Sequence, residues 1–147
     1  MAYKNALSTY KETKIKTASQ GQLVIMLYDE AVKKLNLALE MLELNNQKKE
    51  PGKIEQISKA VMKTEEIITE LMVSLDFDQG GEIAKNLFSL YSWFNKELLE
   101  ANIAQDLDRI RVVRDMISDL RSTWNEIATK YTDEPVSREV VGLNIAG

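Results

Sequence analysis

The sequence contains neither cysteine nor histidine. Without cysteine the chain can form no disulfide, no thiol nucleophile and no thiolate metal site. Without histidine it also lacks the Ser-His-Asp and Cys-His catalytic groups, histidine-bound zinc and the Glu-x-x-His motif of di-iron bundles. Catalysis by carboxylates stays open, but it is the least favoured interpretation of the sequence. We expect a protein that is not an enzyme, has no catalytic residues and uses no metal or cofactor.

Long apolar runs and a strong net charge are also missing. No stretch approaches the ~20 apolar residues of a membrane span, and the N-terminal region holds no secretory signal. The net charge is −4, from 19 basic and 23 acidic residues, whereas sequence-independent binding of nucleic acid needs many positive contacts to phosphates. We therefore expect a cytoplasmic protein that binds no nucleic acid and does not insert directly into a membrane.

Apolar residues recur at helical spacing along most of the chain, and proline, which breaks helices, occurs only twice. The stripes predict four helices, at residues 20–44, 53–75, 82–102 and 107–130. Short connections make neighbouring helices antiparallel, and each apolar stripe is buried against the others. The sequence therefore predicts an all-α fold, an antiparallel four-helix bundle that forms one domain over residues 19–130.

Two segments lie outside the predicted bundle, at residues 1–18 and 131–147. The N-terminal flank carries Tyr3, Leu7 and Tyr10 at helical spacing. We expect a short segment there that is either mobile or packed on the bundle. The C-terminal tail also contains apolar residues, and the sequence assigns it no role.

The first predicted helix has more apolar residues than a bundle needs. Of the 25 residues from Gln20 to Leu44, 15 are apolar, whereas a bundle helix needs about three in seven. Six of them follow one another from Leu23 to Tyr28, so they surround the helix. One apolar face can meet the core, and another needs a cover. That cover is the chain's own flank or a partner's amphipathic segment, and a weakly held flank can yield its place to a partner.

Four aromatic residues lie close together in the third predicted helix, at Phe88, Tyr91, Trp93 and Phe94. Phe94 continues the apolar stripe, whereas the other three point in other directions. At least one of those three should therefore lie near a surface. Aromatic side chains are common in cores and are also favoured anchors for partners, so the sequence leaves both roles open.

Two features resemble ligand sites only superficially. The glycines at positions 80–81 lack the spacing and the lysine of a phosphate-binding loop, so we predict a turn with unusual backbone angles. The aspartates at 106–119 are partly interleaved with arginines. That pattern is typical of an ion-paired, solvated helix face rather than of a metal site.

Several motifs, in this order, resemble one known family. Thr-Ala-Ser stands at 17–19, Met-Leu-Tyr-Asp at 26–29 and Gly-Gly-Glu-Ile-Ala at 80–84, and a late Leu-Arg at 120–121 precedes Trp124. Each motif is short, but the combination, spread over roughly residues 3 to 130, is specific. The chain resembles the flagellin export chaperones of the bacterial flagellar type III secretion system.

The resemblance implies a small antiparallel helical bundle that acts in the cytoplasm. Members of this family bind the C-terminal segment of newly made flagellin, prevent its premature polymerisation and help to deliver it to the export apparatus. The chaperone's own N-terminal segment can occupy part of the binding surface when flagellin is absent. The resemblance also implies a second partner, an export-gate protein or a flagellin regulator, whose site the sequence does not locate.

The exposure expected around the helices suggests where a partner would bind. The candidate groove residues are Leu23, Ile25, Leu27, Leu87 and Tyr91, and the candidate groove cover is formed by Tyr3, Leu7 and Tyr10. The alternative function is a helical adaptor for another flagellar or secreted protein. The oligomeric state stays open between a monomer and a weak homodimer, because an uncovered groove can self-associate.

Overall fold

The structure is a computed structural model, and it describes residues 20–132. Helix α1 spans Gln20–Lys48, α2 Lys53–Val73, α3 Phe77–Ala104 and α4 Leu107–Thr132. Helix α1 packs against α2 and α4, and α3 packs against the same two helices, so α1 and α3 lie diagonally across the bundle. The predicted all-α, antiparallel four-helix bundle is confirmed. The predicted N-terminal flank and most of the predicted C-terminal tail lie outside the described residues.

The core is filled by the apolar stripes that the helical spacing predicts. All four helices contribute buried side chains that recur every three or four residues, as one face of a helix requires. The largest completely buried aliphatic side chains are Leu35, Leu42, Ile57, Ile67, Ile68, Leu71, Leu98, Ile110 and Ile117. The four helices therefore close their interior with their own residues, and the apolar side chains left outside it are not needed for the core.

Helix α1 ends four residues later than predicted. The run Asn45–Lys48 is polar and lies beyond the predicted helix, yet it contains no proline or glycine that would interrupt the helix. The helix ends where Lys49 adopts a left-handed conformation with φ 51°. The Lys49 amide donates to the carbonyl oxygen of Asn45 at 2.6 Å, and the Glu50 amide donates to the Asn45 side chain at 2.8 Å. Pro51 then prevents the helix from continuing.

The corner between α2 and α3 is shorter than predicted. Helix α2 ends at Val73, and α3 begins at Phe77 rather than five residues later. The early start follows from Asp76, whose carboxylate accepts hydrogen bonds from two amides of the first turn at 3.0 and 3.1 Å. The predicted unusual glycine backbone is confirmed at Gly81, where φ 48° and ψ −122° kink the start of α3.

The corner between α3 and α4 follows the prediction more closely. Helix α3 ends at Ala104, and its C-cap Gln105 is left-handed with φ 51°. The next amide, that of Asp106, donates to the carbonyl oxygen of Ala101 at 2.8 Å. Asp106 is the N-cap of α4, because its carboxylate accepts a hydrogen bond from the Arg109 amide at 3.2 Å. Such a short connection holds α3 and α4 antiparallel.

Candidate functional site

The five predicted groove residues do not lie together on one open surface. Leu23 and Leu27 are buried, at 7% and 3% exposure, and Tyr91 is completely buried. Ile25 and Leu87 pack at the edge of the core and keep part of their surface. Helix α1 has neighbours on two sides, so its surplus apolar residues meet α2 and α4 as well as the bundle axis. Ile25 and Leu87 are therefore the two predicted residues that a partner can reach directly.

Tyr91 is part of a polar network inside the bundle. Its hydroxyl group hydrogen bonds to the hydroxyl group of Tyr28, and the Trp124 indole Nε1 donates to the same Tyr28 oxygen at 3.1 Å. Burial raises the pKa of Tyr28 to about 12 and raises the pKa of Tyr91 as well, because the interior disfavours a phenolate. Both phenols therefore stay protonated at neutral pH, and the network joins α1, α3 and α4.

Two of the four clustered aromatic residues on α3 lie at the surface, as the sequence predicts for at least one of them. Phe88 is 43% exposed and Trp93 is 40% exposed, whereas Phe94 is buried. Phe77, the first residue of α3, meets Phe88 edge to face, with their ring centres 5.9 Å apart. Exposed aromatic pairs of this kind offer a large apolar contact area to a partner.

The exposed apolar residues continue along the outer side of the interface between α2 and α3. We call this surface the α2–α3 seam. Two interhelical hydrogen bonds mark it, from Ser58 Oγ to Asn102 Oδ1 at 3.0 Å and from Asn95 Nδ2 to Thr69 Oγ1 at 3.2 Å. Residues one or two helical turns from these four share their face. The exposed apolar residues of the seam are Met62 and Val73 of α2, and Phe88, Leu99 and Ile103 of α3.

One acidic residue interrupts the apolar character of the seam. Glu65 lies three residues after Met62 and four before Thr69, so it lies on the same side of α2. Its Oε1 atom is buried and accepts no hydrogen bond, and the same holds for Oδ1 of Asn95 across the seam. Desolvation by burial raises the pKa of Glu65 above its usual value. The α2–α3 seam therefore combines exposed apolar side chains with two buried acceptors that receive no hydrogen bond from the described residues.

The opposite side of α3 is held to α4 by an ion-pair cluster. Arg109 Nη2 lies 2.6 Å from Glu97 Oε1 and 2.8 Å from Glu100 Oε1, and Arg109 Nε donates to Glu97 Oε2 at 3.1 Å. The hydrogen bonds from Arg109 hold the pKa of Glu97 below its usual value. This two-point contact fixes α3 on α4 next to their connection.

Ion pairs account for several charged side chains of α4. Within residues 20–132, no three carboxylates lie close enough together to hold a metal ion. The aspartates of α4 instead meet arginines, as their alternation predicts, with Arg111–Asp108 at 3.0 Å and Arg114–Asp115 at 2.7 Å. None of the four helices has an apolar stretch long enough to cross a membrane.

Sequence reasoning did not identify the α2–α3 seam. Met62, Leu99 and Ile103 lie outside the buried stripes of their helices. A count of the apolar residues outside each stripe could therefore have identified this surface. No comparable signal marks Glu65, because a glutamate in a helix is usually solvated. Its burial depends on α3 packing beside α2, which the spacing within α2 does not encode.

The chain is similar to known proteins over most of its length. The family model described as Flagellar protein FliS matches residues 3–131. The flagellar secretion chaperone FliS of Escherichia coli (strain K12) is 35% identical over 85% of this chain and 89% of its own length. The protein of the same name from Salmonella typhimurium is 36% identical over 81% of this chain and 84% of its own. The one from Bacillus subtilis (strain 168) is 26% identical over 86% and 88%.

Proposed function

Since this chain belongs to the FliS family of flagellar secretion chaperones, we propose that it binds the C-terminal segment of flagellin in the cytoplasm. Binding would prevent premature polymerisation and would help to deliver flagellin to the flagellar export apparatus. The observation that carries this proposal is the apolar surface that α3 leaves exposed on a bundle whose core is already filled. The exposed apolar side chains of α3 are Phe77, Ile83, Phe88, Trp93, Leu99 and Ile103.

Such a surface suits a client that arrives unfolded. A disordered segment loses conformational entropy when it folds on binding, so it needs a large apolar contact to reach useful affinity. The apolar residues of α3 extend from Phe77 at its first position to Ile103 near its end. At about 1.5 Å per residue this is a length of about 39 Å, enough for several helical turns of a client.

The groove residues predicted from the sequence remain part of the proposal. Ile25 and Leu87 can contact flagellin as they stand, whereas Leu23, Leu27 and Tyr91 can do so only if neighbouring side chains move apart. This follows from the partial exposure of the first two and the burial of the other three. Replacement of Leu87 by serine tests the accessible part of the groove.

The proposed groove cover, formed by Tyr3, Leu7 and Tyr10, lies outside the described residues. We keep it as a proposal in which the flank occupies the binding surface until flagellin displaces it. Competition of this kind lowers the apparent affinity, because the client must first displace the flank. Tyr10→Ala should therefore leave the fold intact and tighten binding. Unchanged or weaker binding by a folded Tyr10→Ala variant would argue against a cover.

Calorimetric titration of the full chain with the C-terminal segment of its host's flagellin tests the function. Flagellin that lacks this segment is the matched control. Saturable 1:1 binding with a negative heat-capacity change, lost on truncation, is the expected result, because it reports burial of apolar surface. If the full chain binds truncated flagellin equally well, the C-terminal segment is not the binding element. No binding at tens of micromolar would favour an adaptor for another flagellar or secreted protein.

A further inference from the structure

The α2–α3 seam holds two hydrogen-bond acceptors that receive no hydrogen bond from the part of the chain that the structure describes. Glu65 Oε1 and Asn95 Oδ1 are both buried and both lack a donor. Two polar groups beside them make hydrogen bonds elsewhere, and the first is Asn95 Nδ2, which donates to Thr69 Oγ1 at 3.2 Å. The Thr69 hydroxyl in turn donates to the backbone carbonyl oxygen of Glu65 at 2.9 Å. A donor for these acceptors must therefore come from another molecule, and the two side chains must turn outward to meet it, because both atoms are covered in the unbound bundle.

The negative charge of Glu65 indicates which kind of donor it binds best. Burial removes hydration from Glu65 and raises the pKa of its carboxyl group. Among the described residues no cation lowers that pKa again. A partly desolvated carboxylate without a partner is unfavourable, and an ammonium or guanidinium group compensates it better than a neutral donor. The complementary group is thus the side chain of a lysine or an arginine.

The neighbours of Glu65 define what else the occupant must carry. The seam's two hydrogen bonds fix an antiparallel register in which Glu65 and Met62 lie across from Leu98 and Leu99. Met62 is 56% exposed and Leu99 is 53% exposed. An occupant that seats a cation at Glu65 therefore also covers these two apolar side chains. An amphipathic segment with one cation among apolar residues has that chemistry.

We propose that the α2–α3 seam binds an amphipathic segment of the flagellin client and that Glu65, with Asn95, receives a lysine or arginine side chain of that segment. This inference rests on the proposed function, because the client supplies the cation. The apolar contacts with Met62 and Leu99 provide area, and the charged contact fixes the register of the segment along the seam. A shift of the segment by one residue would rotate its cation away from Glu65 by about 100°.

The test compares two carboxylate-to-amide variants of the full chain, Glu65→Gln and Glu40→Gln. Glu40 lies on the exposed side of α1, so its variant makes the same change in net charge away from the seam. Each protein is titrated with the C-terminal segment of the host's flagellin. It is also titrated with versions of that segment in which one lysine or arginine at a time is replaced by glutamine.

The expected result is a loss of about tenfold in affinity for Glu65→Gln, the size of one charge-assisted hydrogen bond, and no loss for Glu40→Gln. One substitution in the client should weaken binding to the wild-type chain by a similar factor and leave binding to Glu65→Gln unchanged. The unfolding midpoint of free Glu65→Gln should not fall, because the carboxylate stabilises nothing in the unbound bundle.

Three outcomes would overturn the inference. Binding by Glu65→Gln that matches wild type would remove Glu65 from the interface and leave the proposed function standing. If each lysine or arginine substitution in the client weakens binding equally to the wild type and to Glu65→Gln, the client's cations bind elsewhere on the chain. A wild-type chain that fails to bind any version of the segment would overturn the proposed function and this assignment with it.

Discussion

Tyr28 on α1 and Tyr91 on α3 hydrogen bond through their hydroxyl groups, although their helices lie on diagonal corners of the bundle. The Trp124 indole of α4 donates to Tyr28 as well. A polar junction in a mostly apolar core fixes the relative rotation of the helices, because each group would be left unpaired if a helix turned. Tyr28 is the centre of this junction, since it contacts both other side chains.

Tyr28→Phe should therefore destabilise the bundle more than Tyr91→Phe. Loss of the Tyr28 hydroxyl leaves both the Trp124 Nε1 donor and the Tyr91 hydroxyl unpaired, at a cost of about 2–4 kcal/mol. Loss of the Tyr91 hydroxyl leaves Tyr28 still paired with Trp124, at a cost of about 1 kcal/mol. Urea unfolding of the two variants measures the difference. Equal losses, or a larger loss for Tyr91→Phe, would contradict the assignment of Tyr28 as the centre.

Leu35 and Ile117 are completely or almost completely buried, and each lies on the apolar stripe of its helix. Truncation to alanine removes buried methyl groups and leaves a cavity, so each variant should lose about 2–5 kcal/mol of unfolding free energy. Leu37→Ala is the matched control on α1, because Leu37 is 45% exposed. Its change should stay within about 0.5 kcal/mol. Chemical denaturation checks the three variants, and a control as damaging as Leu35→Ala would mean that Leu37 is covered.

We predict opposite effects on stability for the substitution of Gly81 and of Gly52 by alanine. An added Cβ meets nothing within 4 Å at either position, but Gly81 has φ 48°, where a side chain is strained. Gly81→Ala should cost about 1–3 kcal/mol through its backbone alone. Gly52 has a helical backbone with φ −64°, so Gly52→Ala should be neutral or stabilising by up to about 1 kcal/mol. Thermal unfolding compares the stability of the two variants. A Gly81→Ala variant more stable than the wild type would contradict the left-handed backbone at Gly81.

The sequence predicts the bundle well because helical periodicity is a local property. Each stripe identifies the buried face of its own helix, which is how the burial of Leu35 and Ile117 follows from spacing alone. Periodicity does not identify the partner across the core. Tyr28 and Tyr91 are 63 residues apart, and only the diagonal arrangement of α1 and α3 brings their hydroxyl groups together. The same limit applies to Glu65, whose desolvation depends on the neighbouring helix.

Arg109 makes the stability of the bundle depend on pH at the α3–α4 connection. Its hydrogen bonds hold the pKa of Glu97 below the usual value. A carboxyl group whose pKa is lower in the folded state contributes stability above its unfolded pKa of about 4.3. That contribution is lost as the pH falls through the folded value. Acidification from neutral pH should therefore weaken the wild-type bundle partly through this pair.

The Arg109→Gln variant should lose this part of the pH dependence. Its unfolding free energy should be lower than that of the wild type at neutral pH, and the two should converge as the pH falls below the folded-state pKa of Glu97. Arg111→Gln is the control, because Arg111 pairs with Asp108 of its own helix and does not join α3 to α4; such exposed pairs contribute little. Urea titrations across the acidic range compare the three proteins. Parallel pH curves for wild type and Arg109→Gln would show that the Glu97 carboxylate gains nothing from Arg109, and the contact would then hold α3 on α4 only through packing of the arginine side chain.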